Sequence, residues 1–354
     1  MRLSLIPHGL SRAREGPNPP DETDLMKLTM LIAALAGIAL LGWLVANNDA
    51  TAVLAAFAAV GWGLLGLVAV RAAILLTCGA AWGTLLRRQT PPPAYAIQLV
   101  RFIREAVNVL LPVATVGGDI LGARLITFWG VPAGMAGASI LVDLLLQSAG
   151  QAIFAAIGAL LLAQVAGAAD IVRWVLEGLA VAFVGLLGFF IVQRVGAVGG
   201  IERAANWLIG KLARSGAIGR PIGLNAALQS IWADRGGVAI SFALHFIAWL
   251  IGVAEIWIAL WCMGHPVTVA DAAIIESLGQ ALRGAAFPVP GALGVQEGGF
   301  VVLGQLLGID AETAIALSFA KRVPDVVLGL PGLLSWHLLE TRYKPNRAIV
   351  AMED

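Results

Sequence analysis

The sequence predicts an all-α polytopic membrane protein, organised as an inverted repeat with two re-entrant (broken) helical hairpins. The mean hydropathy is +0.86, and 59% of the 354 residues are hydrophobic whereas 13% are charged. Several segments reach the length of about 20 apolar residues that a membrane-spanning helix requires. Two apolar regions are interrupted by Pro and Gly in a similar order, and this similarity predicts the repeat.

Composition excludes several other classes of protein. The net charge of +1 excludes a polybasic nucleic-acid-binding protein, so no nucleic acid partner is predicted. Cys78 and Cys262 both fall in apolar segments and imply no disulfide framework. The four histidines show no metal-ligand spacing, and the glycine-rich breaks lack the Gly-Lys-Ser/Thr ending of a phosphate-binding loop. The sequence therefore predicts neither a metal nor a cofactor.

Residues 27–340 are predicted to form one transmembrane domain between two cytoplasmic tails, a disordered one at 1–26 and a second at 341–354. The first apolar run is long for a signal-peptide core and lacks a clear small-x-small cleavage site, which indicates an uncleaved span. The predicted full spans are 28–46, 52–80, 134–165, 171–193, 237–263 and 313–338.

Two broken helices define the repeat. One break begins at Pro112 and ends at Asp119, and the other begins at Pro288 and ends at Glu297. Each acid is followed by a turn glycine at the same spacing of 11 residues (130 − 119 and 308 − 297). Because proline removes a backbone donor and fixes φ, neither region can be one continuous helix. The copies are predicted at about 95–165 and about 270–338.

The order of the spans predicts that the second copy is inverted. Three single spans separate the copies, and an odd number of crossings reverses the direction of the second. The long loop 194–236 carries six Lys and Arg residues, whereas the loops on the opposite side carry none. The positive-inside rule therefore places this loop and both termini in the cytoplasm. The loop is also the predicted surface for any lipid-biosynthesis enzyme that binds the protein.

The short helix that follows each break is predicted to begin near the middle of the membrane. Irregular backbone at that depth is tolerated only where protein covers it or where it lines a wet cavity. Free N–H groups at a helix start attract an anion, which favours a site for a lipid phosphate or a comparable head group. The alternative is that Asp119 and Glu297 only cap their helices. The break residues included in the candidate site are Asn108, Pro112, Gly117, Gly118, Pro288, Pro290, Gly291 and Gly294.

Ionisable residues deep in the membrane extend this candidate site, because they are costly there and usually face a pathway or each other. The cations predicted to bind the head group are Arg283, Lys321 and Arg322. The acids predicted to exchange protons or counter-ions are Asp119, Asp143, Glu297 and Asp325. The alternative is an internal ion pair, for example between Asp143 and either Lys321 or Arg322.

The second break carries a family resemblance. Pro288-Val289-Pro290-Gly291-Ala292-Leu293-Gly294-Val295-Gln296-Glu297 resembles the Pro-x-Pro-Gly-Gly-Leu-Gly-x-Arg-Glu signature of the flippase-like membrane domain of lysylphosphatidylglycerol synthases and of its stand-alone relatives. Asn108-Val109-Leu110-Leu111-Pro112 with Gly117-Gly118-Asp119 is similar to the first-half motif of that family. The resemblance covers about residues 28–340, and the first break looks most like the branch associated with hopanoid biosynthesis.

Two positions depart from the family pattern. Ala292 stands where the second Gly is usual, and Gln296 replaces the usual Arg, which weakens any role of that position in holding phosphate. No length remains after residue 340 for the soluble aminoacyl-transferring domain, so synthesis of aminoacylated lipid is not expected.

The resemblance and the repeat together predict a multi-pass transporter or flippase of the bacterial inner membrane. It is expected to move an amphipathic lipid, either a hopanoid or an anionic lipid, between leaflets through a midplane site between the hairpins. One alternative is a membrane-embedded enzyme that acts on a lipid head group, with Asp119 and Glu297 as acid and base. The other is a non-transporting scaffold for lipid biosynthesis.

Overall fold

The structure is a computed structural model that describes residues 46–111, 117–195, 223–286, 289 and 292–342, together with 35, 39, 40 and 42–44. Several predicted features lie outside these residues. They are the tail 1–26, most of the first span 28–46, the greater part of the loop 194–236, nearly all of the tail 341–354, and the break residues Pro112, Pro288, Pro290 and Gly291.

The described residues are almost entirely helical. The helices with described bounds are α1 (Ala50–Val60), α2 (Gly63–Leu86), α3 (Ala94–Leu110), α4 (Gly117–Ile126), α5 (Ala133–Leu162), α6 (Ala169–Val195), α7 (Leu224–Ala233), α8 (Arg235–Cys262), α9 (Val269–Ala285), α10 (Val295–Leu306) and α11 (Ala311–Arg342). Four of them, α2, α5, α6 and α8, are long and apolar enough to cross a membrane. The prediction of an all-α polytopic membrane protein is therefore confirmed.

Two predicted boundaries differ from the structure. The span predicted at 52–80 is divided at Gly61, whose φ of +49° suits glycine and ends α1 before α2 begins. The region predicted as the loop 194–236 contains the ten-residue helix α7, which buries Leu228 and Ile231. The amphipathic sequence of α7 forms a helix because its apolar face packs on the bundle, which the surrounding charged residues do not indicate.

Both breaks separate helices that are short for a membrane. Helices α3 and α4 contain 17 and 10 residues, and α9 and α10 contain 17 and 12. At a rise of 1.5 Å per residue, α4 and α10 are about 15 and 18 Å long, roughly half of the hydrocarbon thickness. In each pair the two helices pack on each other.

Helices of one predicted copy pack on helices of the other, an exchange of partners between the two predicted copies. Helix α3 of the first copy packs on α11 of the second, and α9 of the second packs on α5 of the first. Gly332 permits the α3–α11 contact, because a Cβ there would lie 2.5 Å from the Cβ of Ala106. Helices α2 and α8 also pack on each other along much of their length. A space lies between these helices, and some of the charged residues of the spans line it.

Candidate functional site between the two copies

Arg104 of α3 holds the two acids of the first copy. Its Nη2 lies 2.6 Å from Oδ1 of Asp119 on α4 and 3.1 Å from Oδ2 of Asp143 on α5. All three side chains are buried. A buried charge is tolerated when it is paired and hydrogen-bonded, and Arg104 meets this condition with one acid from each neighbouring helix.

His245 joins this cluster from α8. Its Nε2 lies 2.8 Å from Oδ1 of Asp143, and because a carboxylate accepts, Nε2 donates in this contact. Arg101 of α3 contributes a second guanidinium, 3.8 Å from Oδ2 of Asp143 and 3.4 Å from Oε2 of Glu105. Asp143 is thus surrounded by cationic or donating groups from two helices.

Asn108 closes the start of α4. Its Oδ1 accepts a hydrogen bond from the Gly118 N–H at 2.7 Å, and its Nδ2 donates to Oδ2 of Asp119 at 3.2 Å. Among the described residues, Asn108 therefore caps the start of α4 and Asp119 pairs with Arg104. That Asp119 also caps this helix stays a prediction, because the residues just before Gly117 lie outside the described part of the chain. Gly118 fits here because an added Cβ would overlap the carbonyl oxygen of Arg104.

Glu297 does cap its helix, α10, as the alternative interpretation predicted. Its Oε2 accepts from the Gly294 N–H at 2.7 Å, and its Oε1 accepts from Arg322 Nη2 at 2.6 Å and from Ser318 Oγ at 3.0 Å. Gly294 has a φ of +75°, which an L side chain rarely adopts. The N–H groups at Gly118 and Gly294 are both used within the protein, so neither is open to an anion.

The remaining charges form a third cluster that connects α2, α8, α9 and α11. Arg71 lies 2.8 Å from Oε1 of Glu255 and 2.7 Å from Oδ1 of Asp325. Arg283 approaches the other oxygen of Asp325 at 3.3 Å. Lys321 contacts Glu255 at 3.0 Å and also contacts Glu276.

The alternative of internal ion pairs holds for Asp143, Lys321 and Arg322, but the example given for it, Asp143 with Lys321 or Arg322, is wrong. Asp143 pairs with residues of α3 and α8, whereas Lys321 and Arg322 pair with Glu255, Glu276 and Glu297. The reason is the exchange of helices, which places a nearer partner of opposite charge beside each of these residues.

A cavity of about 300 Å³ lies between these clusters. It is lined from five helices, α2, α3, α5, α8 and α9, together with Asp119 at the start of α4. The ionisable or acceptor side chains among the described lining residues are Arg71, Cys78, Arg101, Glu105, Asn108, Asp119, Gln147, Gln151, His245, Glu276, Gln280 and Arg283. We call this space the central cavity.

Two polar atoms of the central cavity lack partners. Arg101 Nε and His245 Nδ1 are buried and make no hydrogen bond within the described part of the chain, although both residues line the cavity. A buried polar group without a partner costs about 1–3 kcal/mol. The cavity can therefore accept a ligand that supplies hydrogen-bonding oxygens at this point.

Of the residues predicted from the sequence, Asn108, Asp119 and Arg283 line the central cavity. Asp143 lies directly behind it, in contact with His245. The predicted residues that lie in ion pairs or at helix starts, and not among the described lining residues, are Gly117, Gly118, Gly294, Glu297, Lys321, Arg322 and Asp325.

The sequence analysis missed several residues that the structure places at the cavity or in its supporting ion pairs. They are Arg71, Arg101, Arg104, His245, Glu255 and Glu276. The sequence does contain a signal for most of them, namely an ionisable residue in the middle of an apolar span, which is costly there and is usually functional. Histidine was considered only as a metal ligand, and no metal-binding group of three or more His, Cys, Asp or Glu occurs in the described residues.

Comparison with known families identified one match. The family model of the lysylphosphatidylglycerol synthase TM region matches residues 30–332. This range contains both breaks, the three charged clusters and every described residue that lines the central cavity. Comparisons with curated proteins and with solved structures gave no match.

Proposed function

Because the chain belongs to the family of the lysylphosphatidylglycerol synthase TM region, we propose that it is a lipid transporter of the bacterial inner membrane. It moves an amphipathic lipid, a hopanoid or an anionic lipid, from one leaflet to the other. The head group passes through the central cavity while the apolar part of the lipid stays in the bilayer. Both termini lie in the cytoplasm, as the distribution of Lys and Arg in the loops indicates.

The observation that carries this proposal is the pair of unpartnered polar atoms in the central cavity. Arg101 Nε and His245 Nδ1 are buried in a cavity that also contains Arg71 and Arg283. Arg101 Nε donates, whereas His245 Nδ1 accepts when the ring is neutral, because Nε2–H donates to Asp143, and donates only in the imidazolium form. A head group that carries phosphate oxygens and hydroxyls supplies a partner for both atoms. A volume of about 300 Å³ is at the lower end for a ligand pocket and suits a head group alone.

The helix–break–helix pairs provide the route. We infer that α3–α4 and α9–α10 are re-entrant hairpins that enter from opposite faces, since α4 and α10 are too short to cross the membrane. The exchange of α3 and α9 between copies supports a two-fold relationship of the kind found in transporters with inverted repeats. Rocking of one copy against the other would open the central cavity to each side in turn.

Ion coupling is a further part of the proposal. Asp119, Asp143, Glu297 and Asp325 each contact an arginine. Protonation of one of these acids would weaken its ion pair and release one helix from another. Ion pairs of this kind join α3 to α4 and α5, α10 to α11, and α2 to α11, and they support the proposal.

Transport is favoured over the enzyme alternative by the placement of the two acids. Asp119 lines the central cavity, whereas Glu297 is absent from its described lining and is held by Arg322, Ser318 and the Gly294 N–H. An acid and a base that act on one head group must both reach it. The scaffold alternative depends on the loop 194–236, and most of that loop lies outside the described residues.

The test is redistribution of labelled lipids between the leaflets of liposomes that contain the purified protein. Phospholipid, polyprenyl and hopanoid probes are compared for the wild type, Arg101→Gln and Arg283→Gln. We expect at least one probe to redistribute in the wild type and both variants to be at least about tenfold slower, since each loses a charged hydrogen bond. Arg173→Gln is the matched control, because Arg173 is an exposed α6 residue away from the cavity.

Two results would contradict the proposal. The first is the absence of redistribution for all three probes, and the second is an equal rate in Arg283→Gln and in the wild type. A product formed from the lipid head group by the purified protein would favour the enzyme instead. Ligand in the cavity is detected separately through Cys78, which lines it: a bound head group should slow alkylation of this thiol in a Cys262→Ser background.

A further inference from the structure

A second cavity, of about 390 Å³, lies between α5, α6, α7 and α8. It shares no described lining residue with the central cavity. One of its walls is α6, whose most apolar stretch contains no buried residue. We call this space the lateral groove, and it is a candidate site separate from the one described above.

The inner surface of the lateral groove is apolar and aromatic. Its apolar lining residues are Leu146, Phe190, Trp232, Val238, Ala239 and Phe242. Phe190 and Trp232 contact edge to face, with ring centroids 5.2 Å apart. This contact fixes the end of α6 against α7 and gives the groove a rigid wall suited to a hydrocarbon chain.

Two arginines stand at one end of the lateral groove. Arg194 lies in the last turn of α6, and Arg235 is the first residue of α8. Neither is in an ion pair within the described part of the chain, and both are exposed. The nearest acid in sequence, Asp234, is engaged by Arg88 at 2.9 Å and caps α8 through the Gly237 N–H.

A buried donor lies beside these arginines. Trp232 lines the groove, and its Nε1 is buried and has no hydrogen-bond partner within the described residues. An indole N–H only donates, so its partner must be an acceptor. Tryptophan commonly places this group at the level of lipid head groups, where ester and phosphate oxygens accept.

The depth of Arg194 and Arg235 in the membrane agrees with contact to lipid head groups. Helices α6 and α8 contain 27 and 28 residues, and at 1.5 Å per residue each is about 40 Å long. That length exceeds the hydrocarbon thickness of about 30 Å, so the ends that carry Arg194 and Arg235 reach the head-group region.

We propose that the lateral groove binds one phospholipid with an anionic head group. The phosphate lies between Arg194 and Arg235, an ester or phosphate oxygen accepts from Trp232, and an acyl chain lies along Phe190 and Phe242. Guanidinium groups bind phosphate with charge-assisted hydrogen bonds, which gives the site its preference for anionic over zwitterionic lipid. This lipid is bound at the side of the bundle and is distinct from the transported one.

The test uses the full-length protein purified in detergent. Thermal unfolding and native mass spectrometry are measured with added phosphatidylglycerol and, separately, with phosphatidylcholine. We expect phosphatidylglycerol to raise the unfolding temperature and to remain bound to the wild type. The double variant Arg194→Gln/Arg235→Gln should bind it at least about tenfold more weakly, as expected from the loss of two charged contacts. Arg173→Gln, at the other end of α6, should behave as the wild type.

Three results would overturn the proposal: equal binding of phosphatidylglycerol by the double variant and the wild type, an equal response to phosphatidylcholine, or an equal stabilisation by inorganic phosphate alone. If the double variant does not fold, Trp232→Phe and Arg235→Lys carry the test. Trp232→Phe keeps the ring and loses the donor, so it should weaken phosphatidylglycerol binding, whereas Arg235→Lys should largely retain it. Unchanged binding by Trp232→Phe together with a loss in Arg173→Gln would also contradict the proposal.

Discussion

Asp143 on α5 and Lys321 on α11 occupy equivalent positions in the two copies and carry opposite charges. Each follows the acid at the start of the short helix by 24 residues (143 − 119 and 321 − 297). Asp143 pairs with Arg104 of α3, and Lys321 pairs with Glu276 of α9. The same contact between the first and third helices of each copy is therefore made with the charges exchanged.

Removal of the Asp143 carboxylate should strongly destabilise the protein. Asp143→Asn keeps the shape but takes the negative charge away from Arg104 and His245, both of which are buried. Breaking a buried pair by removing one partner typically costs about 3–5 kcal/mol. Thermal unfolding in detergent measures the change.

The control for Asp143→Asn is Glu177→Gln. Glu177 pairs with Arg173 at 3.6 Å, and both side chains are exposed, so its loss should cost less than about 1 kcal/mol. Equal unfolding temperatures for Asp143→Asn and the wild type would show that the buried cluster contributes no net stability.

The close approach of α3 and α4 depends on Gly118. A Cβ in Gly118→Ala would overlap the Arg104 carbonyl oxygen and lie 2.7 Å from Asn108 Oδ1, so α4 must move. We expect a loss of about 1–3 kcal/mol in the free energy of unfolding. Gly298→Ala in α10 is the matched control, since no atom lies within 4 Å of its added Cβ and alanine favours a helix. A similar loss in both variants would refute the steric explanation.

Ala292, which departs from the family pattern, is held in a backbone conformation that glycine prefers. Its φ is +49°, in the left-handed region, and its side chain is buried. The left-handed conformation costs an L residue about 1–2 kcal/mol, whereas glycine loses about 0.5–1 kcal/mol in chain entropy. Ala292→Gly is therefore expected to raise the stability by about 0.5–1 kcal/mol. Gly294→Ala should have the opposite effect, and a lower unfolding temperature for Ala292→Gly would contradict this account.

Asp310 stabilises the start of α11 in a way that depends on pH. Burial acts to raise the pKa of the Asp310 carboxyl, but hydrogen bonds from the Thr313 N–H and hydroxyl, at 2.7 and 2.9 Å, outweigh it and hold the pKa below the ordinary value of 3.8. A lowered folded-state pKa gives stability that is present above pH 3.8 and is lost as the pH falls through the folded-state value.

We expect Asp310→Ala to cost about 1 kcal/mol at neutral pH, the usual value of an N-cap. The difference from the wild type should shrink as the pH falls below 3.8. Asp310→Asn, which retains an acceptor, should cost less than Asp310→Ala. Thermal unfolding at several pH values measures both effects, and a constant difference down to the lowest pH would exclude titration of Asp310.

The sequence predicts where the helices of this protein begin and end better than it predicts which side chains pair between them. The breaks near Asp119 and Glu297 follow from proline and glycine chemistry, and both short helices begin where expected. The partner of Asp143 could not be found in this way, because a uniformly apolar span such as α8 gives no periodicity that indicates which face carries His245. The pair of Arg71 and Glu255 was not predicted either, because 184 residues separate them in the chain and no local pattern connects them.

The exchange of helices between the copies has a consequence for how the protein is made. Helix α3 emerges from the ribosome early, but the surface that covers it belongs to α11, the last described helix to be synthesised. Until then, Gly332 is not available to receive Ala106, and the buried arginines of α3 lack their final surroundings. Insertion of the spans can proceed one by one, whereas packing of α3 must wait until α11 has been synthesised, a delay in which a membrane chaperone could act.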